Sequence, residues 1–186
     1  MKRNLIFIGM PAVGKSTVGI VVAKRLGMRF VDTDLLIQER EGKLLREIIA
    51  EKGEEGFLEI ENEVNASVNA KNSVISPGGS VIYCKEAMKH YKKIGTIVYL
   101  KASYQTIKRR IKNPKKRGVV LKEGQSLRDL YYERVPYFEK YADITVCEDG
   151  CRIEDTIKNV LNAVKKYRKT TEFRKKLDNV PKSKLK

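Results

Sequence analysis

Several features are scarce in this chain of 186 residues, and each scarcity closes off a class of explanation. There are three cysteines, Cys84, Cys147 and Cys151, an odd number with no C-x-x-C pair. That argues against a disulfide framework or a metal or redox site, and fits reduced thiols in a reducing compartment. Long apolar runs are missing too: none approaches the ~18 residues that a membrane span needs. Met1-Lys2-Arg3-Asn4 leads straight into an apolar strand pattern with no signal-type hydrophobic region, so a cytoplasmic protein with no membrane contact is expected. The chain has no internal repeat and no low-complexity linker before its basic end. It also lacks an RNA-recognition aromatic motif and zinc-finger spacing.

What is present suits a globular domain. An apolar fraction of 41% is ordinary for a soluble protein, and the length is that of one well-buried domain. Charge is the unusual property, at +16 overall. From Lys165 to Lys186 ten Lys or Arg face two acids, so half of the excess lies in the last 22 residues. That stretch has little apolar periodicity, and Pro181 falls near its end. It reads as a helix end running into a solvated tail over 168–186, after a single domain over 1–167. Such a tail can hold nucleic acid, but a solubilising extension is favoured, and a monomer is expected.

One short stretch carries most of the chemistry. Leu5 to Ile8 is a continuous apolar run, the mark of a buried parallel strand. Gly9 to Ser16 then spells G-x-x-x-x-G-K-S. Gly9 and Gly14 let the backbone turn several N–H groups onto one anion. Lys15 adds a point charge for the β- and γ-phosphates, and Ser16 offers its hydroxyl to Mg²⁺. Thr17 to Leu26 should continue as a helix with its N-terminal dipole aimed at the phosphates. The expected nucleotide-binding set here is Gly9, Ala12, Val13, Gly14, Lys15, Ser16 and Thr17.

The rest alternates short apolar strands with helical patterns. Strands are expected at Arg29–Val31, Ser73–Ser76, Thr96–Leu100 and in "ADITV". Helical pieces fall at Leu35–Arg40, Leu44–Ala50, Glu54–Ala70, Lys85–Lys92 and after Ser103. A further helix opens at Ser126-x-x-Asp129, and a last one follows Ile153. This pattern predicts an α/β fold with a five-stranded parallel sheet and helices on both faces. "NPKKRGVVLKEGQ" reads as a mobile lid near 113–125. Ligands in such sheets bind at the carboxyl ends of the strands, where the Gly9–Ser16 loop, Asp32, Asp34 and Pro77–Ser80 all fall.

Asp32 and Asp34 form a second constellation. One carboxylate can serve Mg²⁺ while the other orients or deprotonates an acceptor hydroxyl. Capping of the helix near Leu35 is an equally good account of either. Basic residues follow at Arg109, Arg110, Arg117 and Arg134, and an Arg on a closing lid could stabilise charge on a moving phosphoryl group.

"GMPAVGKSTVGIVVAKRLGMRFVDTD" resembles the opening of the shikimate kinase family. "GEEGFLEIE", "SPGGS", "RRIKNPKKRGVVL" and "ERVPYFEKYAD" parallel further family segments in order, over roughly residues 4 to 165, with one extra residue before Ala142. The resemblance implies a P-loop kinase that uses ATP and Mg²⁺ to phosphorylate the 3-hydroxyl of shikimate, in aromatic amino-acid biosynthesis. It implies that Lys15, Asp34 and Arg117 are catalytic and that Asp34 contacts the acceptor hydroxyl. Asp32 would serve Mg²⁺ indirectly, alongside Ser16. Arg110 would flank adenine and Arg117 would be the lid arginine. Phe57, Leu58, Gly78, Gly79 and Ser80 would line the acceptor pocket, and Arg134 would hold the substrate carboxylate.

Three departures fall on these segments. Leu58 stands where the family has a carboxylate-binding Arg, Ser80 where it has a third glycine, and Gly118 where it has a lid proline. Loss of one charged donor costs about 1.5–3 kcal/mol of binding. Another small polyol or hydroxy acid is therefore the second reading. A basic nucleotide-binding regulator that holds nucleic acid through its tail ranks below both.

Overall fold

The computed structural model describes residues 4–111, 119, 121–122 and 124–178, with side chains described as far as residue 171. The elements run β1 (Asn4–Ile8), α1 (Lys15–Leu26), β2 (Arg29–Asp32), α2 (Thr33–Glu41), α3 (Leu45–Ser67), β3 (Ser73–Ser76), α4 (Lys85–Ile94), β4 (Gly95–Lys101), α5 (Tyr104–Arg110), α6 (Leu127–Tyr141), β5 (Ile144–Cys147) and α7 (Ile153–Asp178). The five strands form one sheet in the order β2-β3-β1-β4-β5, and every pairing is parallel. β1 is the central strand, and Leu5, Ile6, Phe7 and Ile8 are fully buried there. Helices covering both faces exclude water from such a strand, which is why it reads as an unbroken apolar run.

Helix signals in the sequence match the caps. Ser103 accepts from the Thr106 amide at the start of α5. Ser126 and Asp129 form a reciprocal capping box at the start of α6. Two boundaries differ from expectation. The helical pieces at 44–50 and 54–70 join into α3, bent at Gly53 (φ 71, ψ −173), and the helix stops at Ser67. The last helix does not end near residue 167. It continues to Asp178, because no Pro or Gly interrupts 153–178 and Lys and Arg are good helix formers that suit a helix C-terminus.

All strands point the same way, so three segments emerge on one edge. They are the Gly9–Gly14 loop after β1, Asp32–Asp34 after β2, and Pro77–Ser80 after β3. α6 lies against β4, where Tyr99 and Phe138 stack with ring centroids 5.2 Å apart. That contact holds α6 against the sheet, and Arg134 on the same helix is buried. Among the described residues, no helix is long and apolar enough to cross a membrane.

Candidate active site

The loop after β1 is built from unusual backbone. Gly9 has φ 148, and a Cβ there would lie 2.6 Å from the Leu100 carbonyl oxygen, so only glycine fits. Gly14, at the start of α1, has φ 109. Ala12 has φ 60, a left-handed conformation that costs an alanine about 1–2 kcal/mol. Strain of this kind persists where a loop must aim its N–H groups at a ligand. Lys15 is buried, with Nζ donating to Gly9 O at 3.0 Å and Met10 O at 3.3 Å. Burial lowers its pKa to about 8, against an upward pull from Asp34. An amine held only by two carbonyls can exchange them for phosphate oxygens.

The next shell joins the loop to β2. Ser16 Oγ donates to Asp32 Oδ2 at 2.8 Å and lies 3.3 Å from Ser76 Oγ. Asp32 also caps α2, accepting from the Asp34 amide at 3.1 Å. Capping and site duty are therefore the same geometry, since the cap fixes the carboxylate that meets Ser16. Among the described residues, no group of three or more His, Cys, Asp or Glu forms a cation cage. A hydroxyl and one carboxylate match a Mg²⁺ whose other ligands are phosphates and water.

A cavity of about 300 Å³ opens beside the loop, lined by Lys15, Ser16 and Thr17 on one side and Gly78, Gly79, Ser80 and Arg134 on the other. Asp34, Phe57 and Glu61 complete its wall, and Val119 borders it. A Cβ on Gly78 would lie 2.5 Å from Glu61 Oε1 and 3.0 Å from Asp34 Oδ1, so the two carboxylates converge on the space that a side chain at this position would take. Both oxygens are buried and lack a hydrogen-bond partner among the described residues. Burial raises Asp34 to about 6, helped by Asp32 and opposed by Lys15. Burial raises Glu61 to about 7, against hydrogen bonding by Ser80. Arg134 is 2% exposed, lies 5.4 Å from the centre of the Tyr83 ring, and brings Nη1 to 3.1 Å from where a Gly79 Cβ would be.

The remaining expected site residues fall in three places. Arg110 borders a second cavity of about 230 Å³ on the other flank of the loop, with Val13 and Val18; Ala12, Gly14 and Thr17 line both cavities. Leu58 is not among the residues that line the first cavity. Its side chain packs on the hydrophobic core beside the neighbouring wall residue Phe57, because one step along a helix turns a side chain by about 100°. Arg117 and Gly118 lie outside the described residues.

Two site acids were missed from sequence. Glu61 is a single acid within the apolar stripe Phe57, Ile60 and Val64, a signal that could have marked it. Glu148, buried in the second cavity, carries no such mark.

The shikimate kinase family matches residues 11–165, most of the chain. This chain belongs to the shikimate kinase family. The Persephonella marina shikimate kinase is 32% identical over 164 residues, spanning 88% of this chain and 99% of that protein. The Aquifex aeolicus shikimate kinase structure superposes with a TM-score of 0.73 at 30% identity, covering 87% of this chain and 96% of that one. The Acinetobacter baumannii shikimate kinase, solved with shikimate, gives the same TM-score at 26% identity, covering 87% and 92%. As a family member, the protein is a phosphotransferase that acts on an alcohol group.

Proposed function

We propose that this protein transfers the γ-phosphoryl group of ATP to the 3-hydroxyl of shikimate, with Mg²⁺ as companion ion. One observation carries the reading: Lys15, Asp34 and a buried Arg134 all line a single small cavity. Mg²⁺-ATP supplies the phosphoryl group and a metal charge that offsets its oxygens. Lys15 then steadies the β- and γ-phosphates as charge moves onto the leaving oxygen. Asp34 accepts the hydroxyl proton while that oxygen bonds to phosphorus. A carboxylate lifted to about 6 is still mostly ionised at pH 7, yet basic enough for this task. Arg134 presents a planar fork to the acceptor carboxylate, and its burial strengthens that contact. The A. baumannii relative solved with shikimate supports this choice of acceptor.

The test is steady-state ADP release with shikimate, quinate, gluconate and nucleoside monophosphates. Shikimate should exceed each of the others by about 10²-fold in kcat/KM, the scale set by polar groups left unpaired on the wrong acceptor. Faster turnover of gluconate or quinate would reassign the acceptor. No turnover on any of them, with DNA binding lost at high salt, would favour the regulator reading.

A further inference from the structure

We infer that Glu148 is a positioning residue for the phosphoryl donor: it fixes Arg110 against the phosphate loop and so shapes the wall that receives the nucleoside. This rests on the reading of the loop as an ATP site.

Glu148 follows β5, and its amide extends the ladder by donating to Lys101 O at 2.8 Å. The side chain is 3% exposed. Oε2 accepts from Arg110 Nη1 at 2.8 Å, and the same Nη1 donates to the Val13 carbonyl at 2.9 Å. One guanidinium nitrogen thus ties a buried carboxylate to the backbone of the loop. Arg110 itself is 36% exposed. Without the acid, a long half-exposed side chain would sample several rotamers. With it, the guanidinium is held across the second cavity, which lies beside the loop on the flank away from Asp34 and Arg134. A triphosphate gripped by the loop with its γ-end toward Asp34 must send its nucleoside to that flank.

Two further observations make the carboxylate more than a packing residue. Its second oxygen, Oε1, is buried with no hydrogen-bond partner among the described residues and lies 3.7 Å from where a Gly14 Cβ would be. Keeping a carboxylate buried on one charged partner is costly. The adjacent Asp149 anchors the other end of the same helix. It accepts from the Ser103 amide at 2.9 Å, from Ser103 Oγ at 3.0 Å and from Thr106 Oγ1 at 2.7 Å. Two consecutive acids therefore pin α5 at its first turn and at its last residue. The last residue is Arg110.

The experiment compares the full-length protein with Glu148→Gln, Arg110→Ala and the double variant, using ATP and, as a probe without a nucleoside, inorganic tripolyphosphate as competitive inhibitor. Glu148→Gln keeps the shape and loses the charge. It should raise KM for ATP about tenfold, the scale of one charge-assisted hydrogen bond, with kcat within about twofold. The inhibition constant of tripolyphosphate should stay within about twofold, because that probe meets only the loop. In the Arg110→Ala background Glu148→Gln should add nothing, since its route to the nucleotide is gone. An unchanged KM for ATP in a folded Glu148→Gln protein overturns the inference. So does equal weakening of tripolyphosphate, or a full tenfold effect without Arg110. Failure of the ATP-site reading looks different: the parent itself would then neither turn over ATP nor be inhibited by tripolyphosphate.

Discussion

The two flanks of the Gly9–Gly14 loop are organised on opposite principles. The donor side is mostly one continuous segment, with a backbone preset by Gly9, Ala12 and Gly14 and a charge from Lys15. The cavity on the other side, proposed to take the acceptor, is assembled from residues that are far apart in the chain: Asp34 on α2, Phe57 and Glu61 on α3, the glycines after β3, and Arg134 on α6. A local backbone grip tolerates drift elsewhere in the protein. A grip made of separate side chains can lose or exchange one member without disturbing the others.

The sharpest break of this contrast is Lys15→Ala. No other side chain in the loop supplies charge to the β- and γ-phosphates, so turnover should fall by about 10³-fold or more. Single-turnover ADP formation measures it, and a loss of less than tenfold would dissolve the distinction between the two sides. Asp34→Asn should cost about 10²-fold or more in kcat, the range of a positioned general base. Its affinity for ATP, read by fluorescence titration, should stay near that of the parent. A parallel loss of ATP affinity would mean that Asp34 belongs to the donor side.

A pH series sharpens the acceptor side. Glu61 is an acid whose folded pKa is raised from 4.5 to about 7. The stability tied to its protonated form is complete below about pH 4.5 and is lost as pH rises through about 7, a few kcal/mol at most. Glu61→Gln removes that loss. Its melting temperature should match the parent near pH 4.5 and exceed it near pH 8. A parent curve that rises over this window would show that the carboxylate is held ionised. The smallest effect concerns Leu58. Its side chain packs on the core, so Leu58→Arg should change kcat/KM for shikimate by less than about tenfold, the scale of a full charge-assisted contact. A larger gain would show that α3 can turn this position into the cavity.

How much was legible varies by residue. The loop was read because its function needs particular residue types at consecutive positions. The strand and helix order was read because burial imposes periods of about 2 and 3.6 on the chain. Asp32 and Asp34 were noticed, but not that Asp32 caps α2 and meets Ser16 at once. Glu61 is one of several acids in "GEEGFLEIE", and its full burial is what sets it apart. Glu148 gave no sign, because its meaning depends on Arg110, 38 residues away. For Leu58 the family resemblance names a position and not the direction in which its side chain points, and the side chain packs on the core.

By itself the sequence determined the phosphate grip, the parallel α/β sheet and the order of its elements. These depend on local backbone freedom and on alternation of burial, both written in near neighbours. Only the tertiary structure decided which carboxylates line the cavity beside the loop, that Leu58 packs on the core, and that Glu148 braces Arg110 against Val13. The physical reason is distance along the chain. Such contacts form where strands paired at separations of 44 to 91 residues are laid side by side, and whether a buried charge is held or left unpaired there depends on partners that no local pattern encodes.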